Sequence, residues 1–319
     1  MFLVPVPVDG RSAPEQVGSV HWWSWRSRAA DEQTQWGVQM GSAGQVEIPP
    51  PSIDDVLYEK RESFAVLTLN RPVVLNAINW SILRRLMWAL DRAEADDEVK
   101  SIILTGAGRA FSAGGDIQST PPPDSEPVPG GSEITMKIWA MPKPVIAAVR
   151  GYAVGQGCEL AGICDFTVAA DDAVFGELQI RHGFAPPTLI TPFLVGMKQA
   201  KEVLMLGERI TAAEALRLGM VNRVVAGDQL METAEEMARK LAALPQKAVR
   251  LNKVLVNRAY ELAGFRLALD YRSDPAVATF TGQAASEPDP HLQVLRQEGW
   301  EAFRKSRDAL YRGEESARG

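Results

Sequence analysis

Cysteine is scarce: the 319 residues contain two, Cys158 and Cys164. Six apart on one predicted helix, they cannot both face a metal with tetrahedral partners, and few other ligands lie near them. Buried thiols in a reducing cytosol are expected instead. Basic charge is not in excess, the net charge being −6, which argues against broad electrostatic binding of nucleic acid. No stretch approaches the about 18 continuous apolar residues of a membrane span. The charged start and small-residue cleavage pattern of a signal peptide are missing, so a cytoplasmic protein is expected. Neither G-x-G-x-x-G nor G-x-x-x-x-G-K-[ST] occurs, which weakens dinucleotide and nucleoside triphosphate readings. A serine hydrolase would need Ser, His and Asp in concert, and His182 is the histidine available to the core.

What is present is a hydrophobic fraction of 46%, enough for one large core. The first 39 residues stand apart. They hold Trp22, Trp23, Trp25 and Trp36, half of the eight tryptophans, without helical or strand periodicity. A disordered extension over 1–52, a start assigned too early, or a Trp-rich partner-binding arm are the readings of this end. An α/β core is expected over 53–225. Phe64 to Leu69, Val99 to Leu104, Val145 to Val149 and Phe166 to Ala170 read as strands. Ile78, Ile82, Leu86 and Leu90 lie four apart and give a helix its core face, with Asn76 or Asn79 as cap. Strands alternating with helices argue for right-handed crossovers. Thr120 to Gly131, with five prolines and two glycines, reads as a surface excursion. A helical part is expected over 226–313. In it, helices run from Asp228 to Leu244, from Pro245 to Leu262 and from Pro290 to Arg312, and Ser273 to Pro290 is weakly patterned. Just before it, Thr211 to Glu214 forms a capping box, and Gly219 ends that helix.

Two glycine-rich loops carry the chemistry. Each follows a strand: Arg109 to Asp116, and Gly151 to Glu159. A strand that turns on glycines into a helix leaves backbone N–H groups unpaired, which suit an oxygen that becomes negative during reaction. One N–H from each loop would make a shared oxyanion site. Glu159 lies in the first helical turn of the second loop.

At these residues the sequence resembles the crotonase family, the enoyl-CoA hydratase/isomerase superfamily. The resemblance starts at Asn70-Arg-Pro-Val-Val-Leu-Asn-Ala77. It runs through Ala110-Phe-Ser-Ala-Gly-Gly-Asp116, Gly151 to Asp165, Ala173 to Gly176 and Ala212 to Asn222, and closes at Glu301 to Arg312, covering about residues 54–313. It implies a crotonase-type ββα superhelix with a helical C-terminal trimerisation part, hence a homotrimer or a homohexamer. The implied partner is an acyl-CoA substrate, with coenzyme A as part of that substrate, no permanently bound cofactor, no metal, no nucleic acid and no membrane.

Carried over residue by residue, the resemblance puts the oxyanion donors at the backbone N–H groups of Ser112 and Gln156, the latter usually a glycine in the family. Coenzyme A would lie against Asn76, Ala77, Ala110, Ala113, Gly114 and Asp116, although a loop-capping Asp116 is the plainer reading. Glu159 matches the first of two catalytic glutamates. The second position holds Gln179, which has no ionisable proton to give. Glu177 or His182 is the nearby group to compensate. In the closing helix, Lys305 and Arg307 flank Ser306 at the usual lysine position. Enoyl-CoA hydration through a held enolate is the leading expectation. An isomerase, decarboxylase or thioester hydrolase using Glu159 as lone acid/base is the alternative. Gly183 to Pro187, with two prolines and an aromatic, should stiffen one wall of the acyl pocket.

Overall fold

The computed structural model describes residues 52–116, 119, 121–123, 125, 127–271, 277, 293–294 and 297–311. The Trp-rich residues 1–39 therefore lie outside the described residues, as do most of the weakly patterned segment 273–290 and parts of the Pro-rich excursion and the closing helix.

The described residues open on a 3-10 turn, Ile53–Asp55, followed by a hairpin. Strand β1 (Val56–Arg61) pairs antiparallel with β2 (Phe64–Leu69), which starts after a tight turn at Glu62, where φ is +35°. Helix α1 (Trp80–Ala95) follows, and the Asn79 side chain accepts from the Ile82 N–H at 2.9 Å to cap it. Next come β3 (Ser101–Gly106), α2 (Gly131–Ala140), β4 (Val145–Val149), β5 (Tyr152–Val154), α3 (Gln156–Ile163), β6 (Phe166–Ala170) and β7 (Val174–Gly176). Then α4 (Thr191–Leu194), α5 (Met197–Leu206), β8 (Ile210–Thr211), α6 (Ala212–Leu218) and β9 (Arg223–Val225) complete the α/β part.

Six strands form one sheet in the order β1-β2-β3-β4-β6-β9, parallel from β2 onward. Such strands are buried on both faces, and their side chains alternate between two cores. Phe64, Val66, Ile103, Ile146, Ala148, Val168 and Ala170 meet Leu230, Ala234 and Ala238 of helix α7 (Leu230–Ala243). Their sequence neighbours Ala65, Leu67, Ile102, Leu104, Ala147 and Ala169 face the larger core, which takes Ile82, Leu86 and Leu90 from α1. Each Leu or Ile buried in this way contributes about 1.5–3 kcal/mol. A second, small sheet, β5-β7-β8, pairs β5 parallel with β7 and sets the start of α3 beside the end of β7.

Helix α8 (Gln246–Leu262) buries no residue, and Leu251, Val254 and Leu255 are 54, 57 and 57% exposed. Lys253 on its opposite side is half-buried, its side chain covered and donating to Asp165 at 2.8 Å and to the Ile138 carbonyl at 3.0 Å. The short α9 (Phe265–Leu269) and the closing helix α10 (Trp300–Asp308) end the described chain, with a final turn at Ala309–Tyr311. Cys158 and Cys164 are free, buried thiols, as expected. No helix among the described residues is long and apolar enough to cross a membrane.

Candidate active site

Two left-handed residues, Leu75 (φ +53°) and Asn76 (φ +56°), turn the chain between β2 and α1. Asparagine tolerates that conformation better than most side chains. Its amide then ties the turn to the first glycine-rich loop: Nδ2 donates to the carbonyls of Ala107 and Ala110, and Oδ1 accepts from the Arg71 N–H. Arg71 Nη1 donates to the Ala77 carbonyl at 2.7 Å and pairs with Asp116 at 3.0 Å. The side chains of Asn76 and Asp116 therefore hold the loop. Asn76 and Ala110 are buried, whereas Ala113 and Gly115 are exposed on the same ridge and Ala77 half-buried. A coenzyme A contact through Asn76 or Ala110 is thereby corrected: neither presents a surface, because both are spent on packing the turn.

The N–H groups of the first loop can be followed one by one. Phe111 donates to Arg150, Ser112 to Tyr152 and Ala113 to Leu75. Gly114 donates to the Ser112 hydroxyl, and Asp116 to Ile78. Gly115 alone in this run has no partner among the described residues. The reason is a parallel bridge between Ile78 and Gly115, in which Gly114 O and Asp116 N bond Ile78 and turn the Gly115 N–H to the opposite side. The assignment of Ser112 as oxyanion donor is thus corrected. Its N–H is committed to Tyr152 at 2.8 Å and its hydroxyl to Asn76 at 2.8 Å. The available donor lies three residues further on, at Gly115.

In the second loop Gly155 turns with φ +54°, and its N–H goes to Gly176. The N–H groups of Gln156 and Gly157, in the first turn of α3, have no partner among the described residues, as helix starts leave them. Gly157 lies against Ser112: a methyl group there would meet the Ser112 carbonyl at 2.7 Å. A methyl group on Gly114 would lie 2.8 Å from Val154 O and 3.5 Å from Gln156 N. The two loops are packed backbone to backbone, which brings the Gly115 and Gln156 segments together. The Gln156 side chain extends over the start of α2, where a Cβ at position 131 would fall 2.2 Å from its Nε2.

Beside these donors sits a polar cluster. Glu159 and Glu177 are each 2% exposed. The Gln179 Nε2 lies between them, donating to Glu159 Oε1 at 2.7 Å and to Glu177 Oε2 at 3.0 Å. One amide nitrogen has two hydrogens, one for each carboxylate. Thr188 donates to the other oxygen of Glu159 from both its hydroxyl and its N–H, and the Thr191 hydroxyl donates to Glu177 at 2.8 Å. Burial, then the charge of Glu177, pushes the Glu159 carboxyl well above the usual range, against the Thr188 and Gln179 donors. Burial raises Glu177 as well. Gln179 Oε1 is buried and accepts nothing from the described residues. An unused acceptor of that kind, beside two carboxyls whose pKa burial raises, leaves room for one further O–H donor.

A cavity of about 290 Å³ opens from Glu177 and Gln179 between Ile180, Phe184, Pro186 and Leu204. Of the two groups named to compensate for Gln179, the structure brings Glu177 into the cluster. His182 is turned elsewhere. Its Nδ1 meets the Leu178 carbonyl, its Nε2 lies 2.6 Å from Arg307, and its ring packs on Phe303 of α10. Gly115, Thr188 and Thr191 were not singled out from sequence. A partnerless N–H follows from bridge register, and the threonines reach the site only through the fold.

A family model described as enoyl-CoA hydratase/isomerase matches residues 59–309. A short-chain-enoyl-CoA hydratase of Clostridium acetobutylicum is 38% identical over 219 residues, 66% of this chain and 83% of that protein. The crystal structure of an enoyl-CoA hydratase/isomerase from Xanthobacter autotrophicus superposes with a TM-score of 0.72 at 38% identity, over 80% of this chain and 98% of that one. A monofunctional enoyl-CoA isomerase from Mycobacterium smegmatis superposes with a TM-score of 0.55 at 32% identity, over 65% of this chain and 93% of that one. The chain belongs to the enoyl-CoA hydratase/isomerase family.

Proposed function

We propose that the protein adds water across the double bond of a 2-enoyl-CoA thioester. The thioester oxygen sits on the N–H groups of Gly115 and Gln156, and each donor lowers the barrier to the enolate by about 3 kcal/mol. The two buried carboxyls share a proton, and in the form that reacts it sits on Glu177: ionised Glu159 takes one proton of the attacking water, and the Gln179 Oε1 accepts its other hydrogen. Protonated Glu177 supplies the proton that the α-carbon gains, and the proton left on Glu159 then passes back to Glu177 within the same cluster, so both carboxyls are restored and one water is consumed. Coenzyme A is part of the substrate and leaves with the product; no resident cofactor takes part. The observation that carries this reading is the buried Glu159, joined through one amide to Glu177, next to two glycine-rich loops with unpaired donors. Its test is loss of the enoyl-thioester ultraviolet band with crotonyl-CoA. Glu159→Gln should abolish that loss and Glu177→Gln should slow it by about two orders of magnitude. Full activity in Glu159→Gln would sink it.

The second reading is double-bond isomerisation with Glu159 as lone acid/base. Gln179, which cannot ionise, favours it. The exposed apolar stripe of α8, Leu251, Val254 and Leu255, supports a homotrimer or a dimer of trimers. In that assembly 53–225 is the catalytic core and 226–313 the oligomerising part of a cytoplasmic enzyme.

A further inference from the structure

We infer that Thr188 and Thr191 act as a clamp that positions the two site carboxylates and selects which oxygen of Glu159 handles the proton. The inference rests on Glu159 being the acid/base of the proposed reaction.

The two threonines are three residues apart and 1% and 2% exposed. Each gives its hydroxyl to a different carboxylate, Thr188 to Glu159 Oε2 and Thr191 to Glu177 Oε1. The Thr188 N–H adds a second donor on Glu159 Oε2 at 3.1 Å. Gln179 serves the opposite oxygens, Glu159 Oε1 and Glu177 Oε2. Each carboxylate is thus gripped from two sides, the threonine side and the amide side. With two donors on Oε2, the oxygen of Glu159 left with spare acceptor capacity is Oε1, beside Gln179 and its unused Oε1.

The clamp is mounted on stiff backbone. Pro186 and Pro187 precede Thr188 and fix two φ angles. The Tyr271 hydroxyl anchors the Pro186 carbonyl at 2.6 Å. Thr191 opens α4, with Pro192 in its first turn. A hydroxyl held this way can do more than satisfy a buried acceptor. It sets the lone-pair direction and stabilises the ionised form of the group it bonds. The titratable groups that face Glu159 among the described residues are Glu177 and the Cys158 thiol, the latter kept neutral by burial.

Thr188→Val keeps the N–H and the shape and removes the O–H, whereas Thr188→Ser keeps the O–H. The readout is kcat/KM against pH. Both hydration and isomerisation begin from ionised Glu159, so activity rises with pH along its acid limb. Thr188→Val should move that limb up by about one pH unit, lowering kcat/KM below it about tenfold. Thr188→Ser should return the limb to the wild-type position. A Val variant with the wild-type limb, or a Ser variant shifted as far as Val, would overturn the clamp. If the wild type turns over no enoyl thioester, the proposed reaction fails by itself, and the clamp is read from thermal stability against pH. Native Glu159 holds its proton more tightly than the unfolded chain does, so stability falls as pH rises from its unfolded to its folded value. In Thr188→Val that fall should continue about one pH unit higher, and superposable curves would count against the clamp.

Discussion

Gly114 and Gly264 share an unusual backbone angle, φ +94° and +92°, in very different surroundings. That pairing allows strain and contact to be separated. An alanine at either position bears the left-handed penalty, about 1–2 kcal/mol. At Gly264, between α8 and α9, the new methyl group meets nothing within 4 Å, so the strain is the whole effect. At Gly114 the methyl group lands 2.8 Å from the Val154 carbonyl, a backbone atom of β5 that cannot swing aside. Overpacking of this kind adds about 1–3 kcal/mol. Relief requires the two loops to part by a few tenths of an ångström, and Gln156 N is the next atom, at 3.5 Å. Gly114→Ala should therefore cost about 3 kcal/mol of stability. It should also lower kcat/KM about 100-fold, the effect of small misplacements in a catalytic site. Gly264→Ala should cost only the strain and leave activity unchanged. Denaturant unfolding and crotonyl-CoA turnover of both variants give the answer. Equal stability losses, together with full activity in Gly114→Ala, would refute the claim that the two loops are packed to hold their donors.

Lys253→Met should cost about 3 kcal/mol, the low end for a broken buried pair, because it leaves the half-buried Asp165 carboxylate with the Val145 N–H as its donor. Adding Asp165→Asn should recover much of this in urea unfolding, whereas no recovery would mean that the bonds of Lys253 to carbonyls dominate. Glu159 and Glu177 both have folded values raised above those of the unfolded chain. They therefore favour folding less as pH rises, the loss beginning at the unfolded carboxylate value, about 4, and ending at the raised folded values. Glu177→Gln should flatten the decline of melting temperature between about pH 5 and pH 8, and an unchanged slope would show that Glu177 is not a raised carboxyl.

Strands β2, β4 and β6 were legible to the residue, because each is a short β-branched or alanine run closed by glycine, proline or charge. The cap of α1 was narrowed by the structure from two asparagines to Asn79, since Asn76 is spent on the turn before it. Strand β1 was not legible: its exposed Glu59 and Lys60 hide the pattern, and its place is set by pairing with β2. Strand β5 was read as part of a glycine turn, since its three residues become a strand only through β7. Within the site, Glu159 was visible because local chemistry places it at a helix start, and Gln156 was named through the family resemblance. Gly115 was not, because the direction of its N–H depends on a bridge to Ile78, far from it in sequence. Glu177 was a candidate among neighbours, and what decides its position is a hydroxyl from α4.

The central claim is that water is added, not merely that a proton is moved. The direct measurement is the mass of the product formed from crotonyl-CoA by the wild type, beside Glu159→Gln. The account predicts a thioester heavier by one water, absent from the variant. A product of unchanged mass formed from a 3-enoyl-CoA, with crotonyl-CoA left intact, would contradict hydration and leave Glu159 shuttling a single proton.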